Sequence, residues 1–159
     1  MKVDNEFDYI VKDIVNNTKF KKMKNEVHHG MNRMDHSLNV AKLTYKFAKR
    51  INMKNYVLLT RAALMHDLFL NEELVGKINL VSHPLVAAQN ARKEFNISDL
   101  EFSIIKSHMF PLTTSIPKNK ESWVLTTTDK IVALFECIKY KIPLRAVATY
   151  LLILNFIVI

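Results

Sequence analysis

The pair His66-Asp67 closes an almost wholly apolar run, Val57-Leu58-Leu59-Thr60-Arg61-Ala62-Ala63-Leu64-Met65. Ionisable side chains at the end of such a run are costly inside a protein unless something pairs with them. A divalent cation pairs with both an imidazole and a carboxylate. Further candidate ligands stand on either side: His36 upstream, and His83, His108 and Asp129 downstream. A bound divalent ion lowers the pKa of its water towards ~7 and supplies hydroxide at neutral pH, and two ions about 4 Å apart can also grip a phosphate. Successive helical residues diverge by about 100°. His66 and Asp67 would therefore approach metal from different directions, and Asp67 has two oxygens with which to bridge two ions.

A single histidine on an apolar helix face is more often a hydrogen-bonded core residue than a ligand, and the same holds for a single buried aspartate. Recurrence is what weighs against that reading. Four histidines and two aspartates fall at inward-facing or helix-terminal positions of five different helices. Together they point to a shared metal site.

The elements that must position these residues can be read from apolar spacing. Phe7, Ile10, Val11, Ile14 and Val15 predict a first amphipathic helix over about residues 6–21. His28, His29 and Gly30 lie in a connection, and the two histidines fit no ligand position. Asn32 or Asp35 can cap a second helix whose apolar face is Val40, Leu43, Phe47 and Ile51, with His36 on the same face. A third helix, over about 54–69, is apolar almost all round and is expected at the centre of the domain. Residues 70–82 are looser. Pro84 suits the first position of a helix, which would put His83 at its N-terminus. That helix should end near Phe95, and Ser98-Asp99-Leu100-Glu101 is a capping box for the next, which His108 closes. A loop over 109–120 precedes a long helix over about 121–140 with Asp129 on its apolar side, and Pro143 starts a last helix. No convincing strand pair is evident. The expected fold is all-α, one domain over 1–159 of about seven helices.

Composition narrows the function. The chain has 159 residues, 49% hydrophobic, with two glycines and four prolines. That rules out glycine-rich phosphate loops. The single cysteine, Cys137, excludes an internal disulfide and a thiolate zinc cluster, and reads as a buried thiol. With no secretory signal, a cytoplasmic location is the simplest expectation. The formal charge of +8 suits an anionic ligand. Lys19, Lys21, Lys22 and Lys24 form the only dense basic run and read as a solvated helix end, so nucleic acid is not the expected partner. Residues 146–159 are nearly all apolar, too few for a span of about 20 residues. They are expected as a buried last helix or a homodimer contact.

The ordered set His36, then His66-Asp67, then Asp129 resembles the H…HD…D signature of the HD-domain superfamily of metal-dependent phosphohydrolases. The contexts Arg33-Met34-Asp35-His36-Ser37-Leu38-Asn39-Val40-Ala41, Ala62-Ala63-Leu64-Met65-His66-Asp67-Leu68 and Thr128-Asp129-Lys130 resemble it too, over about residues 33–136. The resemblance implies five core helices and hydrolysis of a phosphate ester or phosphoanhydride in a nucleotide or small phosphorylated metabolite. It implies that the four signature residues hold one metal. Members with two further histidines before the last aspartate hold two, and His83 and His108 stand in those places. By analogy His36, His66 and Asp129 would hold one ion, His83 and His108 the other, with Asp67 bridging and catalytic. Iron or manganese suits this donor set best; zinc, cobalt, nickel and magnesium remain compatible. Arg33 and Lys130 are the nearest cations in sequence. Each could hold substrate phosphate, or instead make a salt bridge that orients a ligand, such as Arg33 to Asp129.

The chain also departs from relatives. Cyclic-nucleotide enzymes of the superfamily often carry lysine three residues beyond the doublet aspartate, where this chain has Leu70. The GYP motif of cyclic di-GMP enzymes is missing. The general-base acid of some one-metal nucleotidases has no clear counterpart, with Glu72 and Glu73 the nearest. The pattern is similar to bacterial HD hydrolases that split dinucleoside tetraphosphates, from which the residues after Asp67 and Asp129 differ. The rival reading is a non-catalytic HD-fold module that senses a nucleotide or binds RNA.

Overall fold

The computed structural model describes residues 5–28, 31–74 and 79–139. Among these lie seven α-helices: α1 (Asn5–Asn16), α2 (Thr18–Lys22), α3 (Arg33–Arg50), α4 (Tyr56–Met65), α5 (Asn79–Phe95), α6 (Asp99–Ser107) and α7 (Lys120–Lys139). The all-α expectation holds. The last helix expected from Pro143 lies outside the described residues.

α4 is the central element, as its composition requires. Leu59, Ala62, Ala63, Leu64 and Met65 are all fully buried. α3, α6 and α1 pack around it, α7 lies along α3, and α5 pairs with α6. The small residues Ala62 and Ala63 let the flanking helices come close, so the end of α4 carries His66 into the middle of the bundle.

The first helix is shorter than expected. It stops at Asn16, because the Asn17 side chain accepts the backbone N–H groups of Lys19 and Phe20 and starts α2 anew. A short amide competes with the helix ladder at such a position, and apolar spacing does not reveal it. Lys21, Lys22 and Lys24 are exposed, in keeping with a solvated basic end, but Lys19 is half-buried and ion-paired with Glu73 at 2.6 Å.

The inward face of α3 is also rotated from the expected one. His36, Val40, Ala41, Thr44, Tyr45 and Ala48 are buried, whereas Phe47 and Ile51 are 44% and 49% exposed. Small side chains won this face because they allow close helix contact: Thr44 Oγ1 lies 2.7 Å from Thr128 Oγ1 of α7. Asn32 is the cap of α3, accepting the N–H of Asp35.

Two further expectations fail. α5 begins at Asn79, so Pro84 lies inside the helix and His83 sits more than one turn in. The proline therefore costs one ladder hydrogen bond instead of occupying a position that lacks one. A two-stranded antiparallel ladder also exists, β1 (Val27–His28) with β2 (Met31–Asn32), Val27 opposite Asn32 and His28 opposite Met31. Two residues per strand is too little for alternation to show in the sequence. The capping box at Ser98 is present in full, with Glu101 and Ser98 reciprocally bonded. Cys137 is buried. No helix among the described residues is long and apolar enough to cross a membrane.

α1 is tied to the bundle by Glu6, which accepts hydrogen bonds from Tyr56 (2.5 Å), Tyr45 (2.9 Å) and the Lys49 ammonium. Lys49 first, then the two phenols, lower its pKa from 4.5 to about 2. The folded value lies below the unfolded one. This contribution is therefore complete above pH 4.5 and disappears as pH falls towards 2. Thermal melts over that window should show the native chain losing stability more steeply than Glu6→Gln. Parallel curves would show that Glu6 contributes nothing.

Candidate metal centre

Six side chains from five segments converge at the C-terminal end of α4. His36 comes from α3, His66 and Asp67 follow α4, His83 comes from α5, His108 closes α6 and Asp129 belongs to α7. All six are buried, the most exposed being His83 at 8%. The structure thus brings together all six candidate ligands.

Two of the histidines use the same device. A helix leaves its last carbonyls without partners. His66, at the C-cap of α4, turns its Nδ1 onto the Ala63 carbonyl at 2.8 Å, and His108, at the C-cap of α6, turns its Nδ1 onto the Ile105 carbonyl at 2.7 Å. A proton on Nδ1 that donates to a carbonyl leaves Nε2 as the bare lone pair. Both Nε2 atoms face the centre.

There the donors meet. His66 Nε2 lies 3.5 Å from Asp129 Oδ1 and 3.6 Å from Asp67 Oδ2. His83 Nε2 is 3.5 Å and His108 Nε2 3.8 Å from Asp67 Oδ1, and the two imidazole nitrogens are 3.2 Å apart. His36 Nε2 lies 3.2 Å from Asp129 Oδ1. Ligands about 2.1 Å from one ion, at 90–110° to each other, are about 3.0–3.5 Å apart. Most of the separations fall in or next to that range. His66 Nε2 is moreover buried with no hydrogen-bond partner. The donor set fits a divalent metal. Three triads could hold an ion: His36, His66 and Asp67; His66, His108 and Asp129; and Asp67, His83 and His108. Asp67 turns Oδ2 towards His66 and Oδ1 towards His83 and His108.

The electrostatics show how strongly this site asks for positive charge. Burial disfavours the charged form of His36, yet Asp129 and Glu136 outweigh it and raise its pKa to about 10. Burial likewise opposes charge on Asp129, but His36 and His66 hold it well below the usual carboxylate range. His108 goes the other way, down to about 3, from burial and then from His66 and His83. A neutral imidazole there is the metal-binding form.

Glu136 was missed from the sequence. It is buried on α7 and accepts from His36 Nδ1 at 2.7 Å, and Asn39 donates to its other oxygen at 3.1 Å. A carboxylate behind a histidine fixes the ring and strengthens it as a ligand. The available signal was spacing: Glu136 stands seven residues after Asp129, on the same stripe of α7.

Arg33 and Lys130 are buried beside the ligands with protein partners. Arg33 donates to the Phe69 carbonyl (3.0 Å) and to Asn71 Oδ1 (2.9 Å), and stacks 3.8 Å above the Phe69 ring. Its ion-pair partner is Glu26, at 3.7 Å, and not Asp129. Lys130 donates to the carbonyls of His108 (3.1 Å) and Thr126 (3.3 Å). Glu73 binds Lys19, the Leu70 N–H and Asn90, which makes it a brace of the loop after the doublet.

Removal of the Glu136 carboxylate should loosen the metal without unfolding the bundle. Competition with a chromophoric chelator should show Glu136→Ala losing about 10–100-fold in metal affinity, with Glu136→Gln in between. Unchanged affinity in both variants would reduce Glu136 to a packing residue.

A family profile described as HD domain matches residues 33–134. No curated protein and no solved structure matches the chain. The matched stretch takes in His36, His66, Asp67, His83, His108 and Asp129 and covers more than half of the sequence, so the chain belongs to the HD domain family.

Proposed function

We propose that this HD-domain protein is a two-metal phosphohydrolase acting on a nucleotide or a small phosphorylated metabolite. The observation that carries the reading is the divided carboxylate of Asp67, one oxygen towards His66 and the other towards His83 and His108. An aspartate that served packing alone would have no need of imidazoles beside both of its oxygens. In this reading His36, His66 and Asp129 would hold one ion and His83 and His108 the other, with Asp67 shared between the two sets. Iron or manganese is the preferred metal for four imidazoles and two carboxylates. When bound, such ions lower the pKa of a water and polarise a phosphoryl oxygen.

The chain's own residues supply the rest. His66 and His108 are pinned by helix-end carbonyls, so their Nε2 atoms need little reorganisation to engage metal. Glu136 keeps His36 oriented. Arg33 and Lys130 act from behind the ligands. Arg33 braces Phe69 and Asn71, Lys130 braces His108, and both add positive field for an anionic substrate. The net charge of +8 works in the same direction.

Protein purified without chelator, then supplied with manganese or iron, should hydrolyse members of a panel of nucleotides and phosphate esters. Asp67→Ala should lower the rate by about 1,000-fold or more. Full activity in that variant would overturn the mechanism. A metal-free native chain that binds RNA with a steep salt dependence would instead favour the non-catalytic module.

A further inference from the structure

Phe69 follows Asp67 by two residues, and hydrogen bonds fix the turn that carries it. Its N–H donates to the Asp67 carbonyl (2.8 Å), its carbonyl accepts from Arg33 Nη1 (3.0 Å), and the Leu68 carbonyl accepts from Asn90 Nδ2 (2.9 Å). The phenyl ring is buried, and it meets two planar groups beside the candidate metal centre. The Arg33 guanidinium carbon lies 3.8 Å from the ring centroid. The centroid of the His83 imidazole lies 5.3 Å away, with the two ring planes tilted by 30°. A cation over a ring face and an offset ring pair are both attractive arrangements. His83 in turn brings its Nε2 to 3.5 Å from Asp67 Oδ1. One short turn therefore carries both the shared carboxylate and the ring that bounds one of its imidazoles.

We propose that Phe69 is a positioning residue for the ion of Asp67, His83 and His108, setting the plane of the His83 ring, with Arg33 holding Phe69 in place. The inference rests on the two-metal reading. The last torsion of a histidine side chain has a broad energy profile, so a neighbouring surface decides the plane of the ring. Rotation about that torsion swings the Nε2 lone pair away from Asp67 Oδ1. A phenyl ring lying along the imidazole resists that rotation. Arg33 fits the role of a clamp better than that of a bare charge. Its fork donates to the Phe69 carbonyl and to Asn71 Oδ1, both in the stretch just after the doublet, while its plane covers the phenyl ring. A lysine would supply the charge without the fork or the stack. The other ion's ligands are held by different means: His66 by the Ala63 carbonyl and His36 by Glu136. Loss of the phenyl ring should therefore be felt at one ion and not at the other.

Stepwise loading of the full apoprotein with manganese, in competition with a chromophoric chelator, separates the two ions. Phe69→Leu should weaken the ion of His83 and His108 by about 10–100-fold and leave the other unchanged, with circular dichroism reporting an intact helical core. Electron paramagnetic resonance of the loaded variant should change from the signal of a spin-coupled pair to that of isolated manganese. Arg33→Lys should weaken the same ion in the same direction. Equal weakening of both ions in Phe69→Leu would reduce Phe69 to a packing residue and overturn the proposal. Two ions in the native chain, bound equally well by folded Phe69→Leu, would overturn it too and leave the two-metal reading standing. A native chain that takes one ion would overturn both. If Phe69→Leu fails to fold, Arg33→Lys decides, and unchanged affinity for both ions in that variant would sink the proposal.

Discussion

Two carboxylates, Asp67 and Asp129, are held in the centre of a helical bundle, 3% and 5% exposed. Removing a carboxylate from water costs several kcal/mol even after relaxation, unless charge of the opposite sign repays it. Four imidazoles surround these two groups. They can repay that cost either as imidazolium or, neutral, as co-ligands of a cation. His36 and His66 are pushed towards the charged form and His108 away from it, so protons alone satisfy one side of the cluster only. The remainder of the architecture can be understood as what it takes to hold this cluster together.

α4 does most of that work. Its apolar surface makes it central, and α3, α5, α6 and α7 all reach it. The ends of α4 and α6 supply carbonyls that orient His66 and His108. Side chains farther out hold the next layer. Glu136 seats His36, Lys130 seats the His108 backbone, and Asn90 and Glu73 brace the turn after the doublet. A metal that binds only the folded arrangement would stabilise it further by mass action.

Much of the ligand set was legible because histidine and aspartate on apolar helices violate the usual partition of polar residues, and a violation repeated on five helices has few explanations. Helix identities were legible for the same reason, through spacing. What stayed hidden depends on tertiary packing. Phe47 and Ile51 looked inward by hydrophobicity, but Thr44 and Ala48 allow α3 to approach its neighbours, and helix proximity outweighed side-chain size. Asn17 divides a helix through a hydrogen bond of its own side chain, which periodicity cannot register. Pro84 suggested a helix start, yet α5 accepts the lost hydrogen bond one turn farther in. Glu136 is a carboxylate on a stripe already marked by Asp129, and nothing in its type distinguishes a histidine's support from a surface charge until α3 is seen beside it.

In the proposed function Asp67 serves two ions, with His66 beside one oxygen and His83 and His108 beside the other. Counting metal is its most direct test. Apoprotein loaded anaerobically with manganese or iron, freed of excess and analysed for metal per chain, should carry about two equivalents, falling to about one in the His83→Ala, His108→Ala double variant. One equivalent or less in the native chain, or an unchanged count in the double variant, would contradict it.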